Sequence, residues 1–390
     1  MMLAAKSKIP MRALLAGARR KQTRLIALTR QLVQAESPSD DKAAVDACIA
    51  LAAARGKQVG GRVKLHRQHV RGNVLELRFG HSNAKDAAKP ILILGHLDTV
   101  WPVGTLQTMP CRLSAGRLLG PGTLDMKAGV AMAFTAIEML TEADLLRREV
   151  VLLLNGDEEI GSTVSRPITE GLAKSCAAVY VLEPAQGLAY KTARKGIGDW
   201  RIDIKGIAAH AGVDFEKGAN AIRELARVIE EVSTWTDLKR GLTVSVGVAG
   251  GGTKSNVIPA HAWADVEARI VRSGDGPRIE RRFAALKSLK LIDPRCKLTV
   301  TGGINRPPME RRSGTVRLFR KAQALAHELG FTLHEASTGG GSDGNFTAAL
   351  GVPTLDGMGA VGEGAHARHE SVLVEHLAPR TALLAAMLMG

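Results

Sequence analysis

The sequence predicts an α/β protein interrupted by a smaller α+β unit, and three observations carry that prediction. In the first half, short continuous apolar runs at 90–95, 150–154 and 177–182 alternate with helical patterns. Such runs are strands buried on both faces, as in a parallel sheet covered by helices. From residue 194 apolar and polar residues alternate one by one, as in half-exposed antiparallel strands. Beyond residue 306 the helix-and-short-strand pattern returns.

In chain order, Leu25, Leu28 and Leu32 fall at helical spacing and predict a helix over 22–34. Ser37, Pro38, Ser39 and Asp40 end it and cap a second helix over about 40–55. Residues 73–79 alternate as a strand, and the run 90–95 is the next. Helices follow at 127–140 and 163–174, on either side of the strand 150–154. Strands at 197–207, 242–248, 263–271 and 296–301, with helices at 218–234 and 277–290, give the order strand-helix-strand-strand-helix-strand of a ferredoxin-like unit. In the third of these strands Ala264, Val266, Ala268 and Ile270 share one face, and Asp265, Glu267 and Arg269 the other. The organisation expected is therefore 1–193, first part of the α/β domain; 194–305, an inserted domain; and 306–390, the second part. That last part carries a helix at 313–329, short strands at 331–335 and 352–355, and a final helix from about 375.

Charge is the compositional outlier, at +15 with 53 Lys+Arg against 38 Asp+Glu. About half of the excess sits in residues 1–35, which hold Lys6, Lys8, Arg12, Arg19, Arg20, Lys21, Arg24 and Arg30 and no acid. A basic terminal helix accounts for it. Aromatic residues are only 3% of the chain, too few for a stacking platform, so no nucleic-acid partner is expected. No run reaches the roughly 18 to 20 apolar residues that span a bilayer, so no membrane partner is expected. The four cysteines are far apart and form no CxxC, and the basic N-terminus lacks the apolar stretch of a signal peptide. A cytoplasmic protein is expected. The stretch GVAGGGTKS (247–255) fails as a phosphate loop, because Thr253 separates Gly252 from Lys254 and no helix follows.

Chemistry gathers where the apolar strands end. His96 and Asp98 follow the first, Asp157, Glu158 and Glu159 the second, Glu183 the third, and Asp125 precedes a helix between them. His366 follows the last short strand. Open α/β sheets place their sites at these carboxyl ends. Imidazole with carboxylate and no nearby thiol suits zinc, and also cobalt or manganese. Five candidate ligands exceed what one tetrahedral ion needs; they suit two ions sharing a carboxylate and a water, as in metal-assisted hydrolysis. Adjacent Glu158 and Glu159 would repel unless one binds metal and the other faces the water as a base.

The motifs GHLDTV (95–100), GPGTLDMKAG (120–129), GDEEIGS (156–162), LEP (182–184), AHAG (209–212), GGGTKSNVIP (250–259), GGGSDGN (339–345) and GEGAH (362–366) together resemble the M20 family of metallopeptidases. They occur in the family's order and cover nearly the whole chain after residue 25. The resemblance implies a zinc-exopeptidase-like α/β catalytic domain with an inserted ferredoxin-like lid and dimerisation domain. It implies two divalent cations, zinc in the first instance, with Asp125 bridging, His96 and Glu183 on one, and Glu159 and His366 on the other. His366 is preferred to His369 by its Gly-Ala-His context. Glu158 would be general base and acid, and Asp98 would stand behind His96. His210 would stabilise the oxyanion from the partner subunit of a homodimer. Asn256 and Arg269 would bind the substrate's carbonyl and carboxylate, with backbone contacts from Gly340 and Ser342. Asp343 reads as a loop-ordering residue. The activity implied is cleavage of a peptide-like amide beside a free carboxylate, in the manner of the glutamate carboxypeptidase branch; the alternative is an N-acyl-amino-acid deacylase.

Overall fold

The computed structural model describes residues 11–80 and 88–389. They form two compact units: one runs to Ala193 and resumes over Arg311–Ser337 and from Ser342 onward, the other comprises Arg194–Glu310 with Thr338–Gly341. The smaller unit therefore extends five residues past the boundary expected at 305, and it takes in part of the glycine-rich loop. Lys6 and Lys8 of the basic segment lie outside the described residues.

The first unit is built on six strands: β1 (Arg62–His66), β2 (Val74–Phe79), β3 (Ile91–His96), β4 (Val150–Asn155), β5 (Ala178–Val181) and, after the second unit's four, β10 (Thr354–Leu355). Their order in the sheet is β1-β2-β4-β3-β5-β10. β3 lies parallel to β4 and to β5, and β10 parallel to β5. The parallel sheet expected of the continuous apolar runs holds for β3, β4 and β5, while at one side β2 runs antiparallel to β4 and β1 antiparallel to β2. Mixed sheets of this kind carry their antiparallel strands at an edge.

The continuous apolar runs are buried on both faces because successive side chains enter different cores. Ile91, Ile93, Leu152, Leu154 and Tyr180 pack with Val130, Phe134 and Ile137 of the helix Ala128–Glu142. Leu92, Leu94, Val151, Leu153, Val179 and Val181 pack with Ala173 and Leu172 of the helix Arg166–Ala173. The first helix spans Met11–Gln34, eleven residues longer at its start than the apolar spacing predicts. Leu14 and Ala18 continue its buried stripe, while Arg19, Arg20 and Arg24 lie on the exposed and half-buried side. The second helix, Lys42–Gln58, is capped by Asp41, whose side chain accepts from Ala44 N, rather than by Asp40.

The second unit contains β6 (Gly196–Lys205), β7 (Thr243–Gly251), β8 (His261–Ile270) and β9 (Lys297–Arg306) in the order β7-β8-β6-β9, all antiparallel. With the helices Ala221–Ser233 and Asp275–Leu286, this is the ferredoxin-like order. One sheet face is buried through Ile202, Ile204, Ala264, Val266 and Ala268 against Leu225, Val228 and Phe283. Trp200 stacks on Phe283 with ring centroids 4.0 Å apart. No helix among the described residues is long and apolar enough to cross a membrane.

Two glycines crowd the backbone at the end of β5. A Cβ on Gly359 would lie 2.0 Å from Leu182 O, and one on Gly129 would lie 2.5 Å from the same atom. Gly359→Ala must push the chain off that carbonyl, and overpacking of this kind costs about 1–3 kcal/mol. Gly171, in the exposed part of its helix, has nothing within 4 Å of its would-be Cβ. Gly171→Ala should raise stability by roughly 0.5–1 kcal/mol. Thermal unfolding should therefore move in opposite directions for the two variants; a shift of the same sign in both would contradict the packing described.

Candidate metal centre

β3 ends in His96, whose ring is almost fully buried. Its Nδ1 lies 3.0 Å from the Asp98 carbonyl oxygen and 3.5 Å from Asp98 Oδ1. In the neutral ring Nδ1 thus carries the hydrogen, and Nε2 presents the lone pair. The Asp98 carboxylate also reaches the next strand's exit. Its Oδ1 accepts from Glu158 N at 3.1 Å, while Oδ2 accepts from Glu159 N at 3.1 Å and Ser39 Oγ at 2.7 Å. One buried carboxylate thereby orients the histidine and fixes the turn that carries both glutamates.

Asp125 lies in the tight turn before the helix Ala128–Glu142, and its peptide bond to Met126 is cis. Its two oxygens face different histidines. Oδ1 is 3.2 Å from His96 Nε2, and Oδ2 is 3.4 Å from His366 Nε2. His96 Nε2 also lies 3.8 Å from Glu183 Oε1, and His366 Nε2 lies 3.2 Å from Glu159 Oε2. His366 sits at φ 61°, left-handed backbone that is uncommon outside glycine. Ligand atoms of His96, Asp125 and Glu159 fall within 4.8 Å of one another, as do those of His96, Glu158 and Glu183.

The electrostatics fit a cationic occupant. Burial pushes the Asp125 carboxyl up, but hydrogen bonds with His366 and His96 outweigh it and hold the group well below its usual range. Burial pushes His96 down, yet hydrogen bonds with Asp125 and Asp98 raise it well above its ordinary value. Hydrogen bonds with Asp125 and Glu159 lift His366 to about 10. Burial raises Glu159, whose Oε1 is buried and has no hydrogen-bond partner among the described residues. Imidazolium therefore stands in for the positive charge that these carboxylates require. A divalent cation between them would satisfy Glu159 Oε1 and meet the nitrogen and oxygen donors that zinc prefers.

The other expected residues fall in two groups. Asp343 accepts from Asn155 Nδ2 at 2.5 Å and from Ser162 Oγ, tying its loop to the end of β4. Ser342 is buried; its hydroxyl donates to Asp356 and its N–H to Asn345 Oδ1. In the second unit, His210 and Asn256 are exposed and adjacent, because residues 209–211 pair with 256–258 through Ala211 N to Asn256 O and Ile258 N to Ala209 O. Gly212 N donates to His210 Nδ1 at 3.1 Å, which leaves the hydrogen of a neutral ring on Nε2. Arg269 meets Glu267 through Nε and Nη2, both at 2.7 Å, and donates through Nη1 to Gly339 O at 2.9 Å. The Gly340 carbonyl accepts from Arg194. Sequence reasoning passes over Ser39, Trp101 and Glu370. Only Glu370 carries a signal, four residues beyond His366 in a run otherwise rich in histidine and arginine.

The profile of peptidase family M20/M25/M40 matches residues 92–390. The chain belongs to this family. It is 32% identical over 312 residues to carboxypeptidase G2 of Pseudomonas sp. strain RS-16, covering 77% of this chain and 73% of that protein. It is 28% identical over 372 residues to succinyl-diaminopimelate desuccinylase of Stenotrophomonas maltophilia strain R551-3, covering 90% and 94%. Its fold matches aminopeptidase PepT from Bacillus cereus ATCC 10987, with a TM-score of 0.74 at 25% identity over 94% of this chain and 98% of that one. The protein is thus a metal-dependent amide hydrolase of the M20 type.

A metal can enter only as the imidazoles lose their protons. With His366 held near 10, the metal-free centre is protonated at neutral pH, so cation binding must release protons and tighten as pH rises. Calorimetry in buffers of differing ionisation enthalpy should show release of about one proton or more per chain near pH 7. Binding without proton release would contradict the assignment of His366 to the centre.

Proposed function

We propose that the chain is a two-cation carboxypeptidase, with zinc as the metal and a peptide-like amide beside a free carboxylate as the substrate bond. The observation that carries this reading is the division of Asp125 between two histidines, each with its own carboxylate: Glu183 beside His96, Glu159 beside His366. These five side chains would hold the ions. Bound there, divalent cations supply Lewis acidity toward a water and an amide carbonyl.

Glu158 is the general base. Its backbone is pinned by Asp98, and its carboxylate lies with His96 and Glu183. It takes the proton of the attacking water on a carboxylate oxygen and returns it to the leaving amine nitrogen. His210 donates its Nε2 hydrogen to the developing oxyanion, across the interface of a homodimer, with Asn256 beside it. Arg269 binds the substrate carboxylate in place of Glu267, since a guanidinium fork suits either carboxylate equally. Gly340 supplies a backbone contact to the substrate; Ser342, buried with its N–H and hydroxyl already engaged, orders the loop instead. A relative matched over 90% of this chain and 94% of its own length is a desuccinylase, which favours N-acyl amino acids as a second substrate class. The four cysteines are free, in keeping with a cytoplasmic location.

Two variants test the division of labour. Glu158→Gln should lower kcat by about 10²–10⁴-fold and keep both metals. His210→Ala should lower kcat by about 10²–10³-fold with the metals and the assembly unchanged. Metal analysis beside steady-state kinetics on folate-type glutamates, dipeptides and N-acyl amino acids reads both. Loss of metal in Glu158→Gln would make Glu158 a ligand, and near-normal turnover in His210→Ala would remove the oxyanion role.

A further inference from the structure

We propose that Glu370 is a positioning residue that sets the metal centre's geometry by holding three ligand-bearing segments on one carboxylate. The inference rests on the metal-centre reading above and adds a residue that touches no proposed ion. Glu370 is fully buried. Its Oε1 accepts from Leu124 N at 2.9 Å and Asp125 N at 3.1 Å. Its Oε2 accepts from Gly122 N at 3.0 Å and Trp101 Nε1 at 2.8 Å. Its backbone carbonyl accepts from Gly120 N at 3.2 Å, and its own N–H donates to Ala367 O at 2.9 Å.

These contacts join particular pieces of chain. Three of the donors come from the turn that presents Asp125, and one is the N–H of Asp125 itself. Trp101 follows His96 by five residues on the loop leaving β3. Glu370 follows His366 by four residues, on the far side of the turn that puts His366 at positive φ. His96, Asp125 and His366 are the three residues that face one another across the centre.

Converging N–H groups repel unless an acceptor stands between them, and two carboxylate oxygens taking two donors each saturate this one. The side chain at 370 thus decides where the Asp125 backbone stands relative to both histidines. Groups behind metal ligands act on affinity by fixing ligand orientation. Glu370→Gln keeps the shape but turns one acceptor into an NH2 that confronts two N–H donors, so the turn must shift.

The test is zinc affinity of the full-length protein, measured by competition with a chromophoric chelator, alongside thermal unfolding. Glu370→Gln should weaken zinc binding by about 10–100-fold, with activity recovering as zinc is added. A purely structural residue would lower the melting temperature and leave zinc affinity at the wild-type value; that outcome overturns the proposal. Should Glu370→Gln not fold, Trp101→Phe removes one donor while keeping the ring. It should weaken zinc binding by about 10-fold, the low end for such outer contacts, and unchanged affinity there also overturns the proposal. Asp125→Asn separates the two readings. It must abolish tight zinc binding if the centre is correctly placed. Wild-type affinity in Asp125→Asn removes the centre itself, whereas loss in Asp125→Asn with wild-type affinity in Glu370→Gln removes only the role of Glu370.

Discussion

Burying carboxylates together is the constraint on which the rest of this structure depends. Asp98, Asp125, Glu159, Glu183 and Glu370 all converge on the carboxyl ends of β3, β4 and β5, and an unpaired buried carboxylate is strongly disfavoured. The protein compensates them in different ways. Asp98 and Glu370 are satisfied by N–H and O–H donors, which makes them fixtures of the backbone. Asp125 is paired with imidazoles. Glu159 is left with a buried oxygen that no donor among the described residues meets. The first kind builds the scaffold, and the last two define the place for positive charge.

The fold serves this arrangement. Three parallel strands end side by side, and each delivers its polar residues only because the run before it is apolar on both faces. Tight glycine contacts at Leu182 O hold the chain close just before Glu183. The turn at Asp125 and the positive φ of His366 are local departures from regular backbone at the two points where a side chain of the cluster is aimed from a loop rather than from a strand. In the first helix Lys21 pairs with Glu138 and Glu142, and none of the site residues comes from that segment.

Much of the centre is legible because strand ends are visible in a sequence. A continuous apolar run that stops at His-x-Asp or Asp-Glu-Glu announces both the element and the place of its polar residues. The alternation of β6 and β8 is equally plain, since one face meets helices and the other does not. β1 is not legible, because its residues are mostly exposed and its alternation carries no apolar signal. The start of the first helix is obscured by arginines that occupy its outer side while Leu14 and Ala18 sit beneath. Glu370 is marked only by its place four residues beyond His366. Its importance lies in four hydrogen bonds from distant segments, and nothing local to 366–370 encodes them. Arg269 shows the reverse: its strand face is legible, but its pairing with Glu267 needs the geometry of the two side chains.

On the function proposed above, catalysis depends on two cations held by the carboxylate and imidazole cluster. The most direct measurement is to strip the purified protein with a chelator, titrate it with zinc, and follow bound metal by mass spectrometry together with amide hydrolysis. The stripped protein should be inactive, and activity should recover with saturation at two zinc ions per chain. Full activity in metal-free protein, or saturation without bound zinc, would contradict it.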